Sequence, residues 1–346
     1  MTPLSGRILV TGGAGFIGSA LVWALNGRGL RDIVVVDFIE ADKRWKGLIP
    51  LGENSADKRR NLSPLHYAEF IEADVFRDAI ARRPSAYGHF STVFHLGACS
   101  STTQDNGAYL QEVNIDYSTL LARWALAQGA RFVYASSAAT YGDGSAGMDD
   151  KDDHLDRLAP LNAYGRSKQA FDLFAQSQGW LDRVVGLKYF NVFGPNEAHK
   201  GDMRSLVAKA HQQILAGGSV RLFKSEHPDY RHGEQMRDFL YVKDAVEMTL
   251  HFADAGRAAG GLFNLGSGIA STWLELVRPI FAALGREPRI EFVALPEKLR
   301  EKYQYFTRAD IGKLRASGYA RPVTPLSGAV ADYVLNYLGP DRRLGQ

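Results

Sequence analysis

Cysteine is almost absent: Cys99 is the one example in 346 residues. That excludes an internal disulfide framework and suits a reducing compartment, the cytoplasm. Long apolar runs are missing too. No stretch approaches the ~18 residues that a membrane crossing needs, and "MTPLSGRILVTGG" passes straight into a strand pattern without a signal-peptide core. The nine histidines show neither H-x-x-H nor H-E-x-x-H spacing, so no metal site is expected. Nor does one sign of charge dominate. Lys and Arg number 41 against 38 Asp and Glu, a net +3, and the basic residues are scattered rather than striped, which argues against a nucleic-acid partner. There is no internal repeat and no low-complexity tract. What remains is an ordinary globular balance, 45% hydrophobic and 23% charged, on a chain long enough for a large core and two lobes.

The front half alternates two periodicities. "RILVTG" (7–12), "DIVVVD" (32–37), "AEFIEAD" (68–74), "TVFHLGA" (92–98), "RFVYASS" (131–137) and "RVVGLKYF" (183–190) are short, apolar and rich in β-formers. Helical patterns separate most of them, beginning with "GGAGFIGSALVWALNGRG", whose end is marked by Gly27 and Gly29. Strands alternating with helices predict an α/β fold: a doubly wound, parallel Rossmann sheet covered on both faces.

Gly12, Gly15 and Gly18 fit G-x-x-G-x-x-G between the first strand and the first helix. Glycines there allow a tight turn, close approach to a pyrophosphate, and helix–strand packing, with the helix N-terminus facing the phosphates. Asp37, ending the second strand, is placed for a ribose hydroxyl. The "DKRWK" that follows puts Arg44, with Lys43 and Lys46, within reach of a 2′-phosphate. NADP is thus possible despite the acid, and these residues leave NADP and NAD both open. Further on, "NAYGRSK" (162–168) sets Tyr164 and Lys168 four residues apart on one helical face. "YASSAATYG" (134–142) puts Ser136 and Ser137 at the carboxyl end of the fifth strand, where such sheets bind ligands. Lys168 as an ammonium, together with a nicotinamide cation, would favour the phenolate of Tyr164, a shift of ~3 units or ~4 kcal/mol. Tyr164 would then take a proton from a substrate hydroxyl, while Ser137 bonds the oxygen on which charge changes.

These residues resemble the extended short-chain dehydrogenase/reductases that act on nucleotide-linked sugars. The likeness goes further through "FHLGACSSTT" (94–103), "YFNVFGP" (189–195), "HKG" (199–201), "RDFLYV" (237–242), "FNLGSG" (263–268) and "YQYFTRAD" (303–310). Together these strings resemble the ADP-L-glycero-D-manno-heptose 6-epimerase family over nearly the whole chain; "GACSSTT" and "HKG" are the more specific parts. The resemblance implies epimerisation at C6″ of an ADP-heptose for the inner core of lipopolysaccharide. It also implies one tightly bound cofactor per subunit and a homo-oligomer, five copies being one option. Lys200 would be a second acid/base opposite Tyr164. Phe16, Ile17, Phe38, Leu96, Gly97, Ala98, Cys99, Ser100, Asn114 and Val192 would contact the cofactor. Asn191, Asp202, Lys209, Phe223, Arg237 and Tyr303, with Ser137, would hold substrate.

Several positions depart from the family pattern. Leu96 stands where an acid is common, Asp202 where a small hydroxyl residue follows "HKG", and Lys209 where a histidine is found. The 223–236 stretch is longer than its family counterpart. An acid beside a diphosphate would be unfavourable unless it points away. The acidic run "MDDKDDHLD" (148–156) lacks a glycine-centred calcium pattern and reads as a solvated loop. The expected organisation is a dinucleotide-binding domain over 1–190, with 237–268 partly returning to it. Residues 195–236 and 269–340 would form a smaller substrate-binding lobe. The nearest rival is a UDP-hexose 4-epimerase, which needs no "HKG" lysine. A 4,6-dehydratase would carry Asp-Glu where Ala138 and Ala139 stand, and a noncatalytic NADP sensor would tend to lose the Tyr164/Lys168 pair.

Overall fold

Runs such as Ile8–Thr11, with every residue buried, can form only where both faces of a strand are covered. The computed structural model describes residues 4–39, 55–254, 260–300 and 303–346. In chain order the strands are β1 (Ile8–Thr11), β2 (Ile33–Asp37), β3 (Glu69–Glu72), β4 (Thr92–His95), β5 (Arg131–Ser137), β6 (Val184–Tyr189), β7 (Asn191–Phe193), β8 (Val220–Phe223), β9 (Met236–Tyr241), β10 (Gly261–Leu265), β11 (Ala270–Thr272) and β12 (Ile290–Val293). Seven form one sheet in the order β10-β6-β5-β4-β1-β2-β3, parallel at every pairing. The chain winds outward from β1 to β3, then returns and winds the other way from β4. The strand order therefore reverses between β1 and β4, which opens a crevice at their carboxyl ends.

The period of two assigns alternate side chains to opposite cores. Ile8, Val10, Val35 and Val133 pack on the face covered by the Phe16–Gly27 and Val242–Asp254 helices. Leu9, Val34, Val36 and Phe132 pack on the other, beneath the Ala73–Arg82, Tyr117–Ala127 and Ala163–Ser177 helices.

The expected return of 237–268 is divided between sheets. β10 is the outer strand of the large sheet, whereas β9 lies in a three-stranded sheet, β11-β9-β7, parallel to β7 and antiparallel to β11. A two-stranded parallel sheet pairs β8 with β12. A capping box opens the Trp273–Ala283 helix: Glu275 N donates to Thr272 Oγ1 (3.0 Å) and Thr272 N donates to Glu275 Oε2 (2.7 Å).

The acidic run is largely the solvated loop that its charge suggested, with Lys151, Asp153 and Asp156 exposed, but two of its acids are engaged. Asp150 is buried and accepts from Asn264 N at 2.8 Å, while Asp152 accepts from Leu262 N at 3.3 Å. Those two amides point away from β6, so the carboxylates close the outer edge of β10 with acceptors set at strand spacing. Lys313 Nζ, 3.3 Å from Asp152, neutralises part of the charge. Among the described residues no helix is long and apolar enough to cross a membrane, and no group of three His, Cys, Asp or Glu is placed to hold a metal ion.

Candidate active site

The crevice begins at the glycine turn. Gly12 takes φ +70°, and a Cβ on it would stand 2.6 Å from Gly97 N, so the β1 and β4 turns touch through bare backbone. A Cβ on Gly18 would meet Gly12 O at 2.0 Å. The Phe16–Gly27 helix starts at Gly15 with no side-chain cap and no acid in its first turn. Its open N–H groups and positive end fit a dinucleotide pyrophosphate.

Asp37 is buried at the end of β2 with all its acceptor capacity engaged. Oδ2 accepts from Ala14 N (2.9 Å) and Gly15 N (3.1 Å), and Oδ1 accepts from Phe38 N and Lys58 Nζ, both at 2.7 Å. The carboxylate thus braces the glycine turn, and a ribose diol would have to share or displace one of these donors. Lys58 is the cation that the sequence reading overlooked. It follows residues 40–54, in the helix Ser55–Leu62, and only the fold shows it on Asp37. Arg44, with Lys43 and Lys46, lies outside the described residues.

A cavity of about 1350 Å³ runs from this turn past the end of β5 to the smaller sheets. Tyr164 and Lys168 reach it from one face of the Ala163–Ser177 helix, which Asn162 caps by accepting from Gly165 N at 2.8 Å. Burial pushes Tyr164 up to about 12, opposed by its hydrogen bond with Ser137. Burial also pulls Lys168 down to about 8, while Asp172 raises it. The expected phenolate joins Lys168 to a nicotinamide cation; among the chain's own groups, burial is the largest influence on Tyr164. Lys168 Nζ donates to Ala135 O at 2.9 Å.

Lys200 enters the same cavity from the Ala198–Met203 segment, whose Gly201 takes φ +52°. Its Nζ lies 5.1 Å from the centroid of the Phe16 ring. Burial lowers its pKa, with Glu197 raising and Lys209 lowering it. His199, beside it on the wall, is lowered to about 3, chiefly by burial and then by Lys58, and is neutral.

Within the described residues, all the expected cofactor contacts line this cavity except Asn114, and Ser137, Asn191, Lys209, Phe223 and Tyr303 line it on the substrate side. Three expected residues stand behind or off the wall. Asn114 is buried; it accepts from Cys99 N (2.8 Å) and donates to Cys99 O (3.0 Å) and Ser167 Oγ (2.9 Å), so it fixes the turn after β4 rather than facing the cavity. Arg237 is buried between Trp273 and Tyr303, at 5.5 and 5.3 Å from their ring centroids, and donates to the carbonyls of Met236 and Gln304. Its guanidinium supports the Tyr303 wall in this structure. Asp202 is exposed and off the wall, which spares an anionic ligand its repulsion. Cys99 sits on the wall with its thiol pushed up by burial, opposite to an activated nucleophile.

Residues 8–266 match the model of the NAD dependent epimerase/dehydratase family. The chain belongs to that family. A relative from Nitratidesulfovibrio vulgaris, described as ADP-L-glycero-D-manno-heptose-6-epimerase, is 48% identical over 330 residues, 95% of this chain and 97% of its own. A solved Helicobacter pylori structure of the same description is 28% identical, with a TM-score of 0.76 and 96% of each chain covered. The Thermus thermophilus UDP-glucose 4-epimerase, solved with NAD, is 26% identical with a TM-score of 0.71, covering 97% of this chain and all of that one. Membership of the NAD dependent epimerase/dehydratase family supports a nicotinamide cofactor. Within it, Ala138 and Ala139 bring no carboxylate to the end of β5. Trp273 and Arg221 also line the cavity without having been singled out from sequence. Arg221 had a signal: in β8 it is exposed between buried Val220 and Leu222, on the opposite side of the strand.

Proposed function

We propose that this epimerase/dehydratase family member inverts C6″ of ADP-D-glycero-β-D-manno-heptose to the L-glycero epimer, a lipopolysaccharide inner-core precursor. The observation that carries the reading is the placement of Tyr164 and Lys200 on one cavity that also opens onto the glycine turn. The target C–H is not adjacent to a carbonyl, so direct deprotonation would leave an unstabilised carbanion. Oxidising the secondary alcohol to a 6″-ketone removes the stereocentre, and reduction from the other face restores it inverted. A bound nicotinamide dinucleotide supplies the reversible acceptor and donor for that hydrogen. Phe16 to Gly18 would hold its pyrophosphate, and Asp37 with Lys58 its adenosine ribose. The Lys58 cation beside the acid favours NADP, one tightly held molecule per subunit.

The chain's residues move the protons. Tyr164, bonded to Ser137, takes the carbinol proton in one orientation, which requires its phenolate; burial opposes that form, and Lys168 together with a bound nicotinamide cation would favour it. When the ketone turns over, its oxygen leaves Tyr164 and needs a second donor. Lys200, which enters from another segment, fills that role. Lys209 and Arg221 bring positive charge to the same wall, suited to a diphosphate. The substrate is held between the large sheet and a smaller lobe of 195–236 and 269–340. The protein works as a cytoplasmic homo-oligomer.

The test is a panel of ADP-D-glycero-β-D-manno-heptose, UDP-galactose and UDP-glucose scored by NMR for inverted product, with one run in deuterated water. Inversion of the ADP-heptose alone, with no deuterium at C6″, is expected. Turnover of only the UDP-sugars would replace the substrate assignment with that of a 4-epimerase.

A further inference from the structure

The segment that carries Lys200 is anchored by residues with no part in the chemistry above. Asn196, four residues before Lys200, is buried and stands in left-handed backbone at φ +76°. Groups from three distant parts of the chain meet it. Its Nδ2 donates to Ser19 Oγ in the first helix at 3.0 Å. Its carbonyl accepts from Asn61 Nδ2 at 3.0 Å, and its Oδ1 accepts from Leu344 N at 3.0 Å. The same Asn61 amide donates to Ala14 O, inside the glycine turn, at 3.1 Å.

The 341–346 segment closes this arrangement. Leu344 is fully buried in the main core. Arg343, 5% exposed, reaches Asp57 at 3.1 Å and Asp341 at 3.0 Å, and Asp341 in turn accepts from Arg60 at 2.7 Å. The segment is thereby clamped to the Ser55–Leu62 helix on one side and to Asn196 on the other. Beyond Asn196, Glu197 accepts from Ser205 N and Oγ, both at 2.6 Å, and Lys200 N donates to Glu197 O at 3.0 Å. Both ends of the Lys200 segment are therefore fixed, and the kink at Gly201 lies between them.

A loop lysine left to itself samples many rotamers. Proton transfer requires heavy atoms within about 2.6–3.2 Å, and a misplacement of about 1 Å costs on the order of 100-fold in rate. The anchoring answers that requirement, because it ties Lys200 to the backbone that would hold the dinucleotide. We propose that Asn196, Arg343 and Leu344 are positioning residues: the 341–346 segment latches the Lys200 loop onto the glycine turn. The catalytic consequence rests on reading Lys200 as an acid/base, whereas the latch itself is measured without turnover.

The experiment is hydrogen exchange by mass spectrometry on the full chain. It follows peptides covering 195–205 and 163–177 in wild type, Asn196→Gly, Arg343→Met and Arg343→Lys. Glycine keeps the left-handed backbone while removing both side-chain bonds, and methionine removes the ion pair to Asp57. In Asn196→Gly and Arg343→Met, exchange over 195–205 should accelerate at least about tenfold, with 163–177 unchanged and Arg343→Lys close to wild type. With ADP-heptose, kcat should fall at least about tenfold while KM stays within about twofold, the pattern of a lost transition-state contact. Unchanged exchange over 195–205 overturns the latch, and so does acceleration of both peptides together, which is general loosening. Normal turnover by Lys200→Met overturns the reading of Lys200 beneath it, and the exchange data then still decide the latch.

Discussion

Tyr164, Lys200 and His95 are all held uncharged or weakened as ions by burial, yet only the first two face the cavity, and this separates their tests. Lys200→Met should lower kcat at least about 100-fold, the usual worth of a positioned acid/base, with cofactor affinity unchanged; stopped assays and fluorescence titration measure the two. His95 is buried between Thr11 Oγ1 (2.7 Å) and Ser118 Oγ (2.8 Å), and burial lowers its pKa to about 3. Between pH 6.5 and 3 the unfolded chain therefore binds a proton that the folded chain refuses, so stability falls as pH falls. Urea melts should show wild type losing about 1.4 kcal/mol per pH unit more than His95→Gln across that window. That Tyr164, Lys168 and Ser137 share a cavity was legible from helix spacing, a strand end and the glycine motif read together, because each is local geometry. Lys58 was not legible. Its pairing with Asp37 depends on how the chain returns after residues 40–54, and no local pattern carries that.

At the scale of elements, five of the six strands of the front half were readable because they are buried on both faces, which leaves an apolar run; β3, at the sheet edge with only Ile71 buried, was readable by alternation instead. Strands β7, β9 and β11 lack such an apolar run; they exist through pairing across long separations, as when Asn191 registers with Phe239. Asp150 and Asp152 were hidden within the acidic run for the opposite reason, since charge ordinarily marks solvent and here supplies acceptors to an edge. Asp150→Ala would leave the Asn264 amide buried without its partner. It should cost about 1–3 kcal/mol in unfolding free energy, measured by denaturant melts above pH 7. Asp149→Ala, one residue away, serves as the control.

For the whole molecule, one cavity draws its wall from the large sheet, the Ser55–Leu62 helix, the Lys200 loop and the smaller sheets. Cofactor binding should therefore stabilise the entire chain. At a free NADP concentration 100 times its Kd, the gain should be about 2.7 kcal/mol in urea melts. Lys58→Ala should reduce NADP affinity about tenfold more than NAD affinity, a difference of about 1.4 kcal/mol; equal losses would remove Lys58 from cofactor choice. The carboxylates along β10 have a further consequence for assembly. With Leu262 and Asn264 already satisfied from within, that margin offers no free amide at either position to another subunit, and copies cannot zip their large sheets together there. Any contact that a second copy made along β10 would have to run through side chains or loops at these positions rather than through a shared ladder.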